Sequence, residues 1–139
     1  MNNAKQDAED LVHAFGRAFE ARDIEAILGF LDETIVYQNI PVPPLVGHDA
    51  VRGFLLPNLT AVLSMSWEFL ATIADADGSQ VLTERVDTFV FESGQVAVPL
   101  MGIFEIAGGK ITKWRDYADI GTFVKDMRAI GRMPGPGVT

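Results

Sequence analysis

Val81-Leu82-Thr83-Glu84-Arg85-Val86-Asp87-Thr88-Phe89-Val90-Phe91 is followed by Glu92-Ser93-Gly94, and this stretch decides the fold. It is β-branched and aromatic along its length and ends on a short glycine-containing gap, the signature of a strand entering a hairpin. Three more segments of the same kind surround it: Ser66 to Ala74, Val96 to Ile106 and Ile111 to Asp119. Asp77-Gly78-Ser79 and Gly108-Gly109 separate them. Four strands joined by such gaps predict an antiparallel meander.

Upstream the pattern changes to helical spacing. Ala4, Ala8, Leu11, Val12, Phe15, Ala18 and Phe19 recur three and four residues apart, giving one apolar stripe on a helix ending near Arg22. Asp23 is placed to cap a shorter helix with Ile24, Ile27, Leu28 and Leu31 as its apolar positions. Thr34 to Asn39 reads as a first, short strand. Pro41-Val42-Pro43-Pro44 is a stiff connector over the surface or a pocket mouth. A third helix runs from about Ala50 to Leu59, interrupted by Pro57, and Gly121 to Arg128 forms a closing helix.

Helices first and a sheet second give an α+β class. The expected architecture is a curved antiparallel or mixed sheet, with the N-terminal helices across its concave side forming a cone around an apolar pocket. One domain covers 1–130, and 131–139, with two prolines and three glycines, is expected to be a flexible tail.

The chain has 139 residues, 48% of them apolar, a net charge of −8 and a pI near 4.6. That balance excludes a nucleic-acid partner and disfavours an anionic membrane surface, since both require a basic face. There is no cysteine, so disulfides and thiolate metal sites are excluded. Met1 to Glu9 is polar and acidic, unlike a signal peptide, and no apolar run approaches membrane-spanning length. The expected location is the cytoplasm.

Three pairs of side chains then stand out: Tyr37/Asn39, Arg85/Asp87 and Trp114/Asp116. Members of a pair are two residues apart, so on a strand they point the same way. Arg85 and Asp87 share a face with Val81, Thr83 and Phe89, while Leu82, Glu84, Val86, Thr88 and Val90 occupy the other. Both faces are partly apolar, and charges covered by apolar surface are costly unless paired or functional. The plainer alternative is a surface salt bridge, which stabilises little. Asp116 shares a face with Thr112, Trp114 and Ala118, with turn signals before Lys110 and after Asp119 rather than at Asp116 itself. Tyr37 alone is compatible with core packing and Asn39 with a turn. They become informative only by converging on Asp116. Together the five polar groups could hold and activate a water.

Other chemistries find no support. His13 reads as an edge residue of the first helix and His48 as a cap at a helix start. No Ser/His/Asp order, nucleophile elbow or metal-ligand spacing is present. Gly108-Gly109 is a turn rather than a phosphate cradle.

Tyr37-Gln38-Asn39-Ile40-Pro41, Thr83-Glu84-Arg85-Val86-Asp87 and Lys110 to Tyr117 (Lys-Ile-Thr-Lys-Trp-Arg-Asp-Tyr), in this order, resemble limonene-1,2-epoxide hydrolase. That family lies within the cone-shaped superfamily of nuclear transport factor 2, ketosteroid isomerase and polyketide cyclases. The resemblance covers about Phe30 to Phe123. It implies that Asp116 takes a proton from water, that Tyr37 and Asn39 hold that water, that Asp87 protonates the epoxide oxygen and that Arg85 bridges the two carboxylates. It implies one step with neither a covalent intermediate nor a metal or other cofactor.

Two neighbouring carboxylates with one guanidinium are expected to share roughly one proton and to titrate as a unit. Which of them holds it comes from the resemblance. Phe89, Val98 and Leu100 are the expected pocket walls from strand position. The reading is therefore hydrolysis of a small apolar epoxide, cyclic or terpene-like, to a vicinal diol. A single-aspartate isomerase or cyclase of the same superfamily and a non-catalytic binding protein stand as alternatives. Apolar residues on the outer sheet face, among them Leu82, Val86 and Val90, predict a homodimer.

Overall fold

The computed structural model describes residues 3–133. The helices are α1 (Ala4–Glu20), α2 (Ile24–Gly29), α3 (His48–Ala61) and α4 (Ile120–Ala129). The strands are β1 (Leu31–Ile40), β2 (Leu45–Val46), β3 (Ser64–Ala74), β4 (Gln80–Phe91), β5 (Gly94–Ala107) and β6 (Lys110–Ala118). They form one curved sheet in the order β2-β1-β6-β5-β4-β3.

The four strands from β3 to β6 are the expected antiparallel meander. The full sheet is mixed, because β1 runs parallel to β6, with Tyr37 opposite Trp114 and Asn39 opposite Asp116. That pairing brings together segments more than 70 residues apart, and it places the first polar pair beside the third. Gly108 and Gly109 both have positive φ, 58° and 74°, as a two-residue hairpin turn between β5 and β6 requires.

The α1 stripe is buried at Ala8, Val12, Phe15, Ala18 and Phe19, and α1 packs on β3 and β4. Phe15 stands edge-on to Phe19, Trp67, Phe104 and Trp114, so the helix and three strands meet in one aromatic cluster. Such edge-to-face contacts are each worth about 0.5–1.5 kcal/mol beyond area burial. Asp23 caps α2 by accepting from the Ala26 amide at 3.1 Å, and Asp119 caps α4 through the Thr122 amide at 3.0 Å.

Several expectations need correction. Pro57 does not interrupt α3, which continues to Ala61. Asn58 donates to the Phe54 carbonyl and Thr60 to the Leu56 carbonyl beside it, side-chain bonds on carbonyls of the same helix. The two-residue strand β2 is too short to carry a sequence pattern. Thr112 does not share a face with Trp114: register shifts near β6 leave Ile111 and Trp114 both buried, three residues apart. The Thr112 hydroxyl instead donates to the Glu105 carbonyl. His48 does not cap α3, whose N-cap is Gly47; its Nε2 meets the Leu31 carbonyl at 2.9 Å and ties α3 to β1. His13 bonds Thr72 at 2.9 Å and packs edge-on against Phe69. Of the expected tail, Pro134 to Thr139 lie outside the described residues.

Candidate active site

Side chains alternate along β4, and its inner face buries Val81, Thr83, Arg85 and Asp87. Arg85 is fully buried, with Asp87 4% and Asp116 7% exposed. A guanidinium at such depth requires partners for its N–H groups and its charge. It finds both on the two acids. Nε and Nη2 of Arg85 donate to Oδ1 and Oδ2 of Asp87, each at 3.0 Å, a bidentate fork. Nη2 also donates to Oδ2 of Asp116 at 3.2 Å, and Nη1 to the Thr83 hydroxyl at 3.1 Å. Trp67 lies under the guanidinium, 3.9 Å from its central carbon to the ring centroid, which adds a cation–π contact in a buried setting.

Asp116 has a second donor. The Trp114 indole N–H reaches its Oδ1 at 2.9 Å. The same indole stacks on Tyr37 with ring centroids 3.9 Å apart. On β1, Asn39 donates its amide to the Tyr37 hydroxyl at 3.0 Å, which leaves the phenol's own proton free to donate.

The groups titrate differently. Burial pushes the Asp87 carboxyl up to about 6, and the nearby Asp116 adds to this, while Arg85 opposes both. Burial likewise raises Tyr37, assisted by the Asp116 charge, so it stays a neutral phenol. Burial works against the Arg85 cation, yet the Asp116 and Asp87 charges outweigh it and hold its pKa above the ordinary arginine value.

Four of these groups line a cavity of about 150 Å³. Tyr37, Asn39, Asp87 and Asp116 line it, and Arg85 stands behind the two acids. Phe89, Val98 and Leu100, the three expected wall residues, line it too. The rest of the wall is largely apolar, with Phe54, Trp67 and Phe123 prominent. A wider neighbouring space shares Tyr37, Asn39 and Phe54 with the cavity and is bordered by Val42 and Pro43 of the proline connector. The connector thus borders the space beside the cavity. On the wall of that space Arg132 sits over the Phe91 ring, 4.2 Å from its centroid.

All five sequence-predicted polar residues thus come together around one cavity. Sequence reasoning placed Trp114 and Thr83 on the inner face and gave them no role, and it passed over Asn58, which also lines the cavity. The signal for the first two was their two-residue spacing from Asp116 and Arg85. Asn58 lies on a helix, where strand alternation gives no guide. Among the described residues there is no cluster of three or more His, Cys, Asp or Glu that could hold a metal ion.

An apolar cavity closed by two acids, one guanidinium, a phenol and an amide suits acid–base chemistry on a small uncharged substrate. The family model described as the limonene-1,2-epoxide hydrolase catalytic domain matches residues 6–129. The chain is 33% identical over 115 residues to the epoxide hydrolase EphG of Mycobacterium tuberculosis, covering 78% of this chain and 71% of that protein. A solved M. tuberculosis epoxide hydrolase, itself described as like limonene-1,2-epoxide hydrolase, superposes with a TM-score of 0.78 at 28% identity, over 90% of this chain and 92% of that one. A putative polyketide cyclase from Xanthomonas campestris pv. campestris shares the fold, with a TM-score of 0.78 at 23% identity over 88% of this chain and 97% of its own. With its match running through nearly all of the described residues, this chain belongs to the limonene-1,2-epoxide hydrolase family and is an epoxide hydrolase of that type.

Proposed function

We propose that the chain adds water in one step to a small apolar epoxide, giving a vicinal diol, with no cofactor. The observation that carries this reading is the Arg85 fork, which joins Asp87 and Asp116 on the wall of an apolar cavity.

Water is a weak nucleophile and an epoxide oxygen a poor leaving group. Asp116 takes a proton from water while the water oxygen bonds to a ring carbon. The ring C–O bond breaks, its electron pair stays on oxygen, and Asp87 supplies the proton that makes the second hydroxyl. Each proton transfer contributes roughly 10²–10⁴-fold, and holding the water in place adds an entropic part of similar size. Tyr37 and Asn39 provide that hold, because the phenol is neutral and its proton is not used by Asn39. Burial pushes Asp87 towards its protonated form, which suits the acid, and Asp116 is held in place by the Arg85 guanidinium and the Trp114 indole N–H. Turnover leaves the proton on Asp116, and its return to Asp87 resets the site.

Phe89, Val98 and Leu100 set an apolar wall, which supports a cyclic or terpene-like substrate. Hydrolysis of a panel of small cyclic epoxides in ¹⁸O-labelled water should give diols carrying one label, located on the attacked carbon. Asp116→Asn should abolish it, and wild-type turnover by that variant would remove Asp116 as the base.

The outer face of the same sheet exposes Leu70, Ile73, Leu82, Met101 and Tyr117. An apolar surface of this kind supports a homodimer joined through the sheet. A monomer by light scattering at micromolar concentration would overturn that.

A further inference from the structure

We infer that Gly102 and Thr83 are positioning residues: the missing side chain at Gly102 opens the lane through which Arg85 crosses from β4 to Asp116 on β6, and the Thr83 hydroxyl locks the guanidinium in that lane. The kinetic part of this inference rests on the acid–base reading above.

The lane follows from register. Thr83 lies opposite Gly102, and Gly102 lies opposite Asp116, so the three form one row across β4, β5 and β6. The strands bearing the two acids are therefore not neighbours. They stand about 10 Å apart, two strand spacings. Any inward side chain on β5 in this row would stand between Arg85 and Asp116. A Cβ at position 102 would lie 2.4 Å from Arg85 Nη1, 2.6 Å from Asp116 Oδ1 and 3.2 Å from Thr83 Oγ1. All three are polar atoms of the site.

Nothing else calls for glycine there. The Gly102 backbone is outside the left-handed region, unlike Gly108 and Gly109. A glycine inside a strand weakens it, so its presence marks a place where another group approaches closely.

Thr83 completes the device. Its hydroxyl is 3.1 Å from the Gly102 carbonyl, which can only accept, so the hydroxyl proton is committed to it. The oxygen then turns its lone pairs to Arg85 Nη1 at 3.1 Å. With Nη1 held by Thr83 and Nε by Asp87, Nη2 has one orientation, the one that touches both acids. The charged and titratable groups facing this point are Arg85 and Asp87 from β4, Asp116 from β6 and Tyr37 from β1. Leu100 and Phe104 of β5, Trp67 of β3 and Phe15 of α1 add only apolar surface or aromatic rings.

The test uses the full chain with Gly102→Ala, Thr83→Val and Thr83→Ser. Gly102→Ala should lower kcat roughly 100-fold, the effect of displacing reacting groups by about an ångström. KM should stay within about threefold, since Gly102 is not a cavity wall and substrate contacts remain. Thr83→Val should cost about tenfold in kcat through the unpaired Nη1, while Thr83→Ser stays within about twofold of wild type. A ¹³C NMR titration of the aspartate carboxylates should place the Asp87 midpoint about half a unit or more higher in Gly102→Ala and Thr83→Val, and unchanged in Thr83→Ser.

Wild-type kcat and an unchanged titration in Gly102→Ala would overturn the lane. Thr83→Val behaving as Thr83→Ser would overturn the lock. If Gly102→Ala does not fold, the Thr83 variants decide the lock and Gly102→Ala combined with Arg85→Ala decides the lane: it should be no less stable than Arg85→Ala alone, and a further loss of stability would overturn the lane. If the wild-type chain opens no epoxide, the acid–base reading falls, and the titration still decides whether the two residues position Arg85.

Discussion

Two arginine–carboxylate groups sit back to back on the same sheet. On the inner face Arg85 holds Asp87 and Asp116 in a setting where its own side chain has no exposure. On the outer face Arg115, the residue before Asp116, holds Glu105 at 2.7 Å with side chains 26% and 30% exposed. The residue types are equivalent and the outer bond is the shorter. What separates the two groups is solvent. Outside, water competes with every contact and lowers the value of the pair. Inside, the charges have only one another, so their protonation and geometry are tightly coupled. Charge pairing is a function signal here only in combination with burial.

Arginine removal should expose this contrast most strongly. Arg85→Ala leaves two buried carboxylates without a cation and should cost about 3–5 kcal/mol of stability, with hydrolysis lost. Chemical denaturation and product analysis check both. Wild-type stability in this variant would mean that the inner group is as solvated as the outer one.

A pH dependence comes next. The Asp87 carboxyl is raised from its ordinary value to about 6. Between those values the folded chain binds the proton and the unfolded chain does not. The stability this contributes is complete below pH 4 and is lost as pH rises through about 6, by about 3 kcal/mol in all. Asp87→Asn should flatten that slope in urea titrations run at several pH values. In the wild type, kcat/KM should fall about tenfold per unit well above pH 6, because the acid must be protonated to act. A rate that rises through this window would assign the acid elsewhere.

Trp114→Phe keeps most of the stacking on Tyr37 and Phe104 and removes the indole N–H from Asp116. It should lower kcat about tenfold, the value of one hydrogen bond to a charged group. Tyr37→Phe should be milder, because in the proposed mechanism Asn39 and Asp116 still hold the water. A loss larger than that of Trp114→Phe would make the phenol more than a positioning group.

The polar site was legible in the chain because a strand has a period of two. Arg85/Asp87, Tyr37/Asn39 and Trp114/Asp116 each announce a shared face with no knowledge of what lies beside them. The lateral arrangement was not legible. That Asn39 sits opposite Asp116 depends on a parallel pairing between segments more than 70 residues apart, and no local pattern encodes it. Gly102 matters through its place in a row across three strands, so along the chain it is one glycine in an apolar run. Thr112 was placed on the wrong face because a register shift breaks the alternation that the argument used. Helix α3 runs through Pro57, where a local propensity gave way to tertiary context.

The smallest effect is expected on the outer face, and it is the control that gives the others meaning. Arg115→Ala removes a cation one residue from the Asp116 carboxylate in the chain and on the opposite side of the sheet. If proximity in sequence governed the site, this variant should disturb hydrolysis. If the sheet separates a dry compartment from a wet one, kcat should stay within about twofold, and stability should change by no more than about 1 kcal/mol. The inner pair should be insensitive to salt and the outer pair screened by it, since a Debye length of about 8 Å at physiological ionic strength acts only where ions can enter. Measuring both variants with and without added salt therefore separates the two compartments, and a salt-dependent Arg85 contribution would show bulk electrolyte reaching the acids.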